Sequence, residues 1–250
     1  MTNILLCGAN GKMGRVIENC ISIREDMRVV AGVDVNDKVY ADFPIYQLVV
    51  DCRENIDVII DFSHPTLLSP LIDYATTNQV PIVLATTGYS DDQITFIKEA
   101  AKNVAIFFTF NMSLGVNLLL DLAKKATAVL GDQFDIEIIE KHHNQKIDAP
   151  SGTAIMIANA INEVADERYQ YEYDRHSKRQ KRSKNEIGMH AIRGGTIVGE
   201  HQVIFAGRDE VLTLTHSATS KEVFAVGAVN AAAFLKGKSA GIYDMKDLLS

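Results

Sequence analysis

A glycine-rich turn near the start of the chain constrains its fold more than any other feature. Ile4-Leu5-Leu6-Cys7 is a short apolar run, Gly8-Ala9-Asn10-Gly11-Lys12-Met13-Gly14 follows it, and residues 12–24 place Met13, Val16, Ile17 and Cys20 on one side of a helix. Strand, glycine turn and amphipathic helix, in that order, open a βαβ nucleotide-binding unit. Glycine lets the backbone turn with positive φ and approach a ligand closely. Amides at the helix start can meet pyrophosphate oxygens, and Lys12 adds positive charge. The spacing is GxxGxxG rather than GxGxxG. Asn10 stands where the middle glycine is usual, and asparagine tolerates left-handed backbone better than most residues. Asp34 follows Gly14 by 20 residues and ends a second strand, Arg28–Val33. A carboxylate there can accept from an adenosine ribose diol and would repel a 2′-phosphate. Val35 and Asn36 come next, with no adjacent arginine, so NADH is expected to be usable, while Lys12 or Lys38 leaves NADPH open. The plainer alternatives are a glycine turn that only solves packing and an Asp34 that only caps its strand.

The first half continues in the same rhythm. Asp57–Ile60 reads as a strand closed by Asp61-Phe62-Ser63-His64-Pro65, residues 66–77 as a helix, and Val80–Ala85 as a strand followed by the turn Thr86-Thr87-Gly88. Ser90 suits the cap of a helix over 91–101, and Val104–Phe108 is a further strand leading to Phe110-Asn111-Met112-Ser113. Nearly continuous apolar strands alternating with helices imply a mostly parallel sheet covered on both faces. Both turns lie where such a sheet presents ligand loops, although each is also an ordinary turn by composition. The pattern then changes: a long helix over 113–130, a strand Phe134–Ile139, a helix over 152–164, a polar stretch 166–188 with little periodicity, and two antiparallel strands, Thr196–Ala206 and Glu210–His216. A last helix over 221–236 carries Phe224, Ala228, Ala231 and Ala232, placed to pack back onto the first half. The expected class is α/β. It has a Rossmann-like nucleotide domain of residues 1–113 plus 221–250 and a second α/β substrate domain, 114–220, built on a largely antiparallel sheet.

A net charge of −7 disfavours nucleic acid as the partner. Cys7, Cys20 and Cys52 form no CxxC pair and suggest reduced, packed thiols. No run suggests a membrane helix, and the start has no secretion-signal pattern, so the expected location is cytoplasmic. Arg175 to Lys184 contains six Lys or Arg residues and no acid, without the aromatic interleaving of a nucleic-acid module. A mobile solvated loop is the favoured reading there, with steering of cofactor or substrate next.

The densest polar constellation runs from Glu140 to Thr153 and joins a strand to a helix. Pro150 fits a helix start, Ser151 can cap the first turn, and the amides of Gly152 and Thr153 then face outward as anion donors. His142 and His143 project oppositely if the segment is extended. Histidine exchanges protons near neutral pH, and lysine holds an anion or donates a proton. His142, His143, Lys146 and the two amides together suit a small dianionic substrate. The pair of histidines also fits a surface hydrogen-bonding role, and Asp148 fits an anchor for the loop better than a base. A zinc site is disfavoured by the lack of cysteine and of a third ligand at suitable spacing.

Five stretches resemble the 4-hydroxy-tetrahydrodipicolinate (dihydrodipicolinate) reductase family: GANGKMGR at 8–15, ATTG at 85–88, FNMSLGVN at 110–117, EKHHNQKIDAPSGTA at 140–154 and RGGTIVGEH at 193–201. The resemblance spans essentially the whole chain, and HHxxKxDAPSGTA is far more specific than the glycine loop. It implies NAD(P)H-dependent reduction of a small cyclic dicarboxylate, with loss of water, in the diaminopimelate route to lysine. It implies no metal, nucleic-acid or membrane partner. It further implies that His142 is the acid–base residue and Lys146 the proton donor, with His143, Gly152 and Thr153 binding substrate. Gly8 to Met13, Asp34, Thr86, Thr87, Gly88 and Phe110 to Ser113 are then the cofactor residues. A homotetramer joined through the substrate-domain sheets and a hinge closing substrate onto cofactor are implied as well. Val35 departs from members with an arginine after the acidic residue, which bears on the choice between NADH and NADPH. The rival readings are another nicotinamide enzyme for a small carboxylate, a dinucleotide-binding sensor without turnover, and a nucleic-acid binder resting on residues 175–184 alone.

Overall fold

The structure is a computed structural model that describes residues 1–249. In chain order its elements are β1 (Thr2–Cys7), α1 (Lys12–Ser22), β2 (Met27–Val33), β3 (Ile45–Tyr46), β4 (Val58–Asp61), α2 (Leu68–Asn78), β5 (Ile82–Leu84), α3 (Asp91–Ala100), β6 (Ala105–Phe108), α4 (Leu114–Leu130), β7 (Asp135–His142), α5 (Gly152–Glu163), β8 (Gln170–Glu172), β9 (Glu186–Arg193), β10 (Gly199–Ala206), β11 (Val211–Ala218), α6 (Glu222–Leu235), β12 (Gly241–Tyr243) and α7 (Met245–Leu249). They form two compact units, Met1–Leu114 with the segment from Glu222 onward, and Gly115–Lys221.

In the first unit seven strands run in the order β12-β6-β5-β4-β1-β2-β3, every neighbouring pair parallel. Successive side chains of a strand face opposite sides, and β1 feeds both cores accordingly. Ile4 and Leu6 join α1 and α6 on one face, while Leu5 and Cys7 join α2 and α3 on the other. The return of α6 expected from the sequence is found: Ala228, Ala231 and Ala232 are fully buried in the first core, with Phe224 packed against it. The chain leaves β1 toward β2 on one side, and β4, β5 and β6 lie on the other. The switch point of the sheet therefore falls between β1 and β4, where an open α/β sheet forms its ligand crevice.

In the second unit five strands run in the order β11-β10-β7-β9-β8. α4 and α5 cover one face through Leu119, Ala123, Ile157 and Ile161, which pack with Ile136, Ile138, Val203 and Phe205. The sheet is mixed rather than largely antiparallel. β11, β10 and β7 pair antiparallel, but β7 pairs parallel with β9 and β9 with β8. That parallel half is made by β8, inside the polar stretch 166–188 read as having little periodicity, and by β9, which begins at its end. Nor is the basic segment a freely solvated loop. Arg182 pairs with Asp135 at 2.8 Å and Glu137 at 3.0 Å and donates to the carbonyls of Ile136 and Glu186. Arg175 pairs with Glu186, and Lys178 with Glu172. These cations neutralise acids at the strand ends and pin the segment to the sheet. Among the described residues no helix is long and apolar enough to cross a membrane.

Candidate active site

The glycine turn follows β1 at the switch point. Gly8 has φ +78°, and a Cβ on it would stand 2.5 Å from the Phe62 carbonyl oxygen, so only glycine fits. A Cβ on Gly14 would lie 2.2 Å from the Gly8 oxygen, which shows how tightly α1 seats on the turn. Gly11, at the N-cap of α1, offers no side-chain cap, and the first helical turn holds no acid. The positive end of the helix is therefore not neutralised by its own chain. That cradle fits the pyrophosphate of a dinucleotide. Ala9 is buried, Met13 half-buried and Lys12 exposed.

Asn10 does not take the left-handed role expected of it. The positive φ belongs to Gly8, and Asn10 acts through its side chain. Its amide donates to the carbonyls of Asn36 and Lys38, and its oxygen accepts from Arg15 at 2.9 Å. Asp34, at the end of β2, accepts from the Asn10 amide at 2.9 Å and the Asn36 amide at 3.2 Å. The carboxylate thus holds the glycine turn against the loop after β2. Arg15 lies 3.3 Å above the Tyr40 ring, and the Tyr40 hydroxyl donates to the Ala9 carbonyl at 3.1 Å. Arg15 and Tyr40 were not read from the sequence. Arg15 stands in the GANGKMGR motif, but nothing local links Tyr40 to it.

Asp61 was also not singled out, beyond closing its strand. It is fully buried at the end of β4. Oδ1 accepts from the amide and hydroxyl of Ser63; Oδ2 accepts from Thr86 Oγ1 at 2.8 Å and the Tyr89 hydroxyl at 3.2 Å. Burial pushes its carboxyl above the ordinary range, against the opposing pull of those donors. The side chain ties the loop after β4 to the one after β5. Thr86 is buried, while Thr87 and Gly88 are exposed, and Gly88 has φ +85°. After β6, Phe110 is exposed, and Met112 and Ser113 are buried. The Ser113 amide donates to Asn111 Oδ1 at 2.8 Å. All these loops leave the carboxyl ends of parallel strands, so they share one edge of the sheet.

In the second unit β7 runs past the expected end at Ile139 to include His142. Alternation buries Glu140 and His142 and leaves His143 half-exposed, as the opposite projection of adjacent strand residues requires. His142 Nδ1 lies 2.6 Å from Glu140 Oε2. Arg193, at the end of neighbouring β9, gives Glu140 two bonds of 2.7 Å, and the Ser151 amide a fourth of 3.0 Å. Burial alone would raise the Glu140 carboxyl, but its bonds from Arg193, His142 and Ser151 outweigh that and hold it below the usual range. Ser151 caps α5 as expected, accepting from the Ala154 amide at 3.2 Å. Its hydroxyl also meets His201 Nε2 at 3.0 Å, and the His201 ring stands edge-on to His142 with centroids 5.2 Å apart. Burial, then the neighbouring His142, pulls the His201 pKa down to about 4. Lys146 pairs with Asp148 at 2.8 Å, and this bond holds the Asp148 carboxyl below its usual range. Gly152 is exposed at the first turn of α5 and Thr153 half-buried. The strand end, loop and helix start thus gather His142, Lys146 and the α5 N-terminus. No group of three or more His, Cys, Asp and Glu residues suited to a metal occurs among the described residues.

Residues 2–112 match the family model described as dihydrodipicolinate reductase, N-terminus, and residues 115–249 the model for its C-terminus. The chain is 50% identical over 249 residues to the 4-hydroxy-tetrahydrodipicolinate reductase of Caldanaerobacter subterraneus subsp. tengcongensis, covering 100% of this chain and 98% of that protein. Identity to the enzyme of the same name from Clostridium tetani is 49% over 250 residues, with the same coverage. Among solved structures, a dipicolinate-bound dihydrodipicolinate reductase from Paenisporosarcina sp. TG-14 superposes with a TM-score of 0.81 at 26% identity, covering 98% of this chain and 97% of that one.

Proposed function

This chain belongs to the dihydrodipicolinate reductase family, and we propose that the end of β7, the loop after it and the start of α5 are where its substrate is bound and protonated. The protein is an NAD(P)H-dependent oxidoreductase. It converts 4-hydroxy-tetrahydrodipicolinate to tetrahydrodipicolinate, with loss of water, in the diaminopimelate route to lysine. Overall, substrate, reduced cofactor and one proton give product, oxidised cofactor and water. When bound, the dihydronicotinamide supplies hydride to ring carbon 4.

The chain's own residues do the rest. Gly8 to Met13 line the pyrophosphate, which the Lys12 and Met13 amides at the start of α1 receive, since the amides of Gly8, Ala9, Asn10 and Gly11 already donate to Val33, Asp34 and Gly8; Asp34 takes the ribose hydroxyls. The Asp61-braced loop of Thr86, Thr87 and Gly88 and the segment Phe110 to Ser113 orient the nicotinamide. The substrate is a small dicarboxylate. His143, Lys146 and the start of α5 at Gly152 and Thr153 hold its carboxylates. Lys146 already pairs with an anion, Asp148, which a substrate carboxylate would displace. His142 and Lys146 handle the protons: one goes to the departing ring hydroxyl, one is taken from the adjacent ring carbon as the double bond forms, and one is returned to that carbon after hydride arrives, a net uptake of one. The observation that carries this reading is His142, buried at a strand end on a carboxylate anchor, one short loop from Lys146 and a helix N-terminus. Asp34 favours NADH, and the cations Lys12, Arg15 and Lys38 around the glycine turn admit NADPH as well.

The test is a coupled assay on freshly generated 4-hydroxy-tetrahydrodipicolinate with each cofactor. His142→Ala and Lys146→Ala are each expected to lower kcat about a hundredfold or more, with NADH affinity by fluorescence titration unchanged. Near-wild-type turnover in both variants would overturn the site, and a clear preference for NADPH would overturn the reading of Asp34.

A further inference from the structure

We propose that Glu140 is a positioning residue for the reaction. Its carboxylate fixes His142 in the tautomer with the proton on Nδ1, and through Arg193 and the Ser151 amide it locks that ring to the start of α5.

An ionised carboxylate only accepts, at about four sites. Oε1 receives Arg193 Nη2 at 2.7 Å and the Ser151 amide at 3.0 Å; Oε2 receives Arg193 Nη1 at 2.7 Å and His142 Nδ1 at 2.6 Å. Every site is filled, and each of the other partners is an obligate donor. Nδ1 must therefore carry a hydrogen, which makes Nε2 the ring atom left for proton exchange. Glu140 is 1% exposed, and a buried carboxylate needs a counter-charge. Arg193 supplies it in bidentate form. Glu140 therefore does not require His142 to be a cation.

The surroundings agree. Arg193 approaches from β9, His201 from β10 and His216 from β11, with Lys146 and Asp148 on the loop. His201 stays neutral, so it meets His142 as an uncharged edge-on ring. A Cβ on Gly199 would lie 3.1 Å from His142 Nε2, so glycine at that point of β10 leaves the atom room. Ser151 caps α5 while its own amide binds Glu140. One carboxylate thereby couples the proton-handling ring to the helix start that holds substrate.

The inference rests on His142 as the acid–base residue, which the His142→Ala assay tests separately. Its own test is Glu140→Gln in the full-length protein, read by kinetics and by 15N NMR of the His142 ring. The amide cannot accept all four bonds. We expect kcat to fall about 10- to 100-fold, a part of what general acid–base catalysis supplies, with KM for NADH within about twofold. The Nδ1–H signature should give way to mixed tautomers. Glu140→Asp, which keeps the charge, should recover part of the loss and, if the glutamine variant does not fold, should still show an intermediate kcat and a partly mixed ring. Unchanged kcat would overturn the proposal. So would a reduced kcat with the tautomer intact, since that would be structural damage alone.

Discussion

His201 is a residue whose chemistry is set first by burial and then by the neighbouring His142. Its folded pKa of about 4 lies below the ordinary histidine value of 6.5, so between those values the unfolded chain binds a proton that the folded chain refuses. Stability from this group is complete above pH 6.5 and is lost as pH falls toward 4, by about 3 kcal/mol in all. His216, also lowered by burial, acts in the same sense, and Glu140, held below its usual range, adds a further loss on the more acid side. The melting temperature of the wild type should fall between pH 7 and pH 5 more steeply than that of His201→Gln, whose amide can still meet Ser151. Parallel falls measured by calorimetry would contradict it. Individual residues were legible in the sequence where a motif carried them, as with Gly8 in the turn and Ser151 at the helix cap. They were not legible where the partner is distant in the chain. Glu140 was quoted only as the start of a motif because Arg193, which fills half its bonds, lies on another strand. Asp61 reads as a strand end until Thr86 and Tyr89 are folded against it.

At the scale of elements, the fit of α1 to the glycine turn has a direct consequence. Gly14→Ala would force its methyl to 2.2 Å from the Gly8 carbonyl and 2.6 Å from that of Ala9, so helix or turn must shift. Overpacking of this kind costs about 1–3 kcal/mol. Cofactor affinity should fall at least about tenfold as the amides lose their aim, which fluorescence titration would read; unchanged affinity would show that the turn yields freely. Helices and apolar strands of the first unit were legible because burial on both faces leaves a continuous apolar run. β8 and β9 were not. On β9, Gly188 leaves room for the Glu137 carboxylate, since a Cβ there would collide with it, and His190 bonds the same carboxylate at 2.8 Å. The alternation of Ile187, Met189 and Ala191 along β9 is short, and a glycine and a histidine that accommodate a neighbour's charge stand between its apolar positions, so it does not stand out from the polar stretch before it. β7 was cut short for a related reason, because its last buried residues are Glu140 and His142.

At the scale of the whole molecule, the second unit ends its sheet in β11, eight residues long with one edge unpaired. Val211 on that strand is 64% exposed, on the sheet face away from Phe205. Long exposed edges are usually paired or covered. We propose that copies of this chain meet through this sheet as a homotetramer. Analytical ultracentrifugation should find about four times the 27.5 kDa chain mass, and Val211→Glu should shift the population toward smaller species. A monomeric wild type would rule the assembly out.

The return of α6 and β12 to the first unit also orders events during synthesis. β12 is the outermost strand beside β6, and α6 fills the core face beneath α1. Until residues 222–243 emerge from the ribosome, β6 has no outer neighbour and the apolar flank of α1 stays wet. The half of the protein begun first is therefore completed last, and throughout the translation of residues 115–221 it persists as an unfinished sheet.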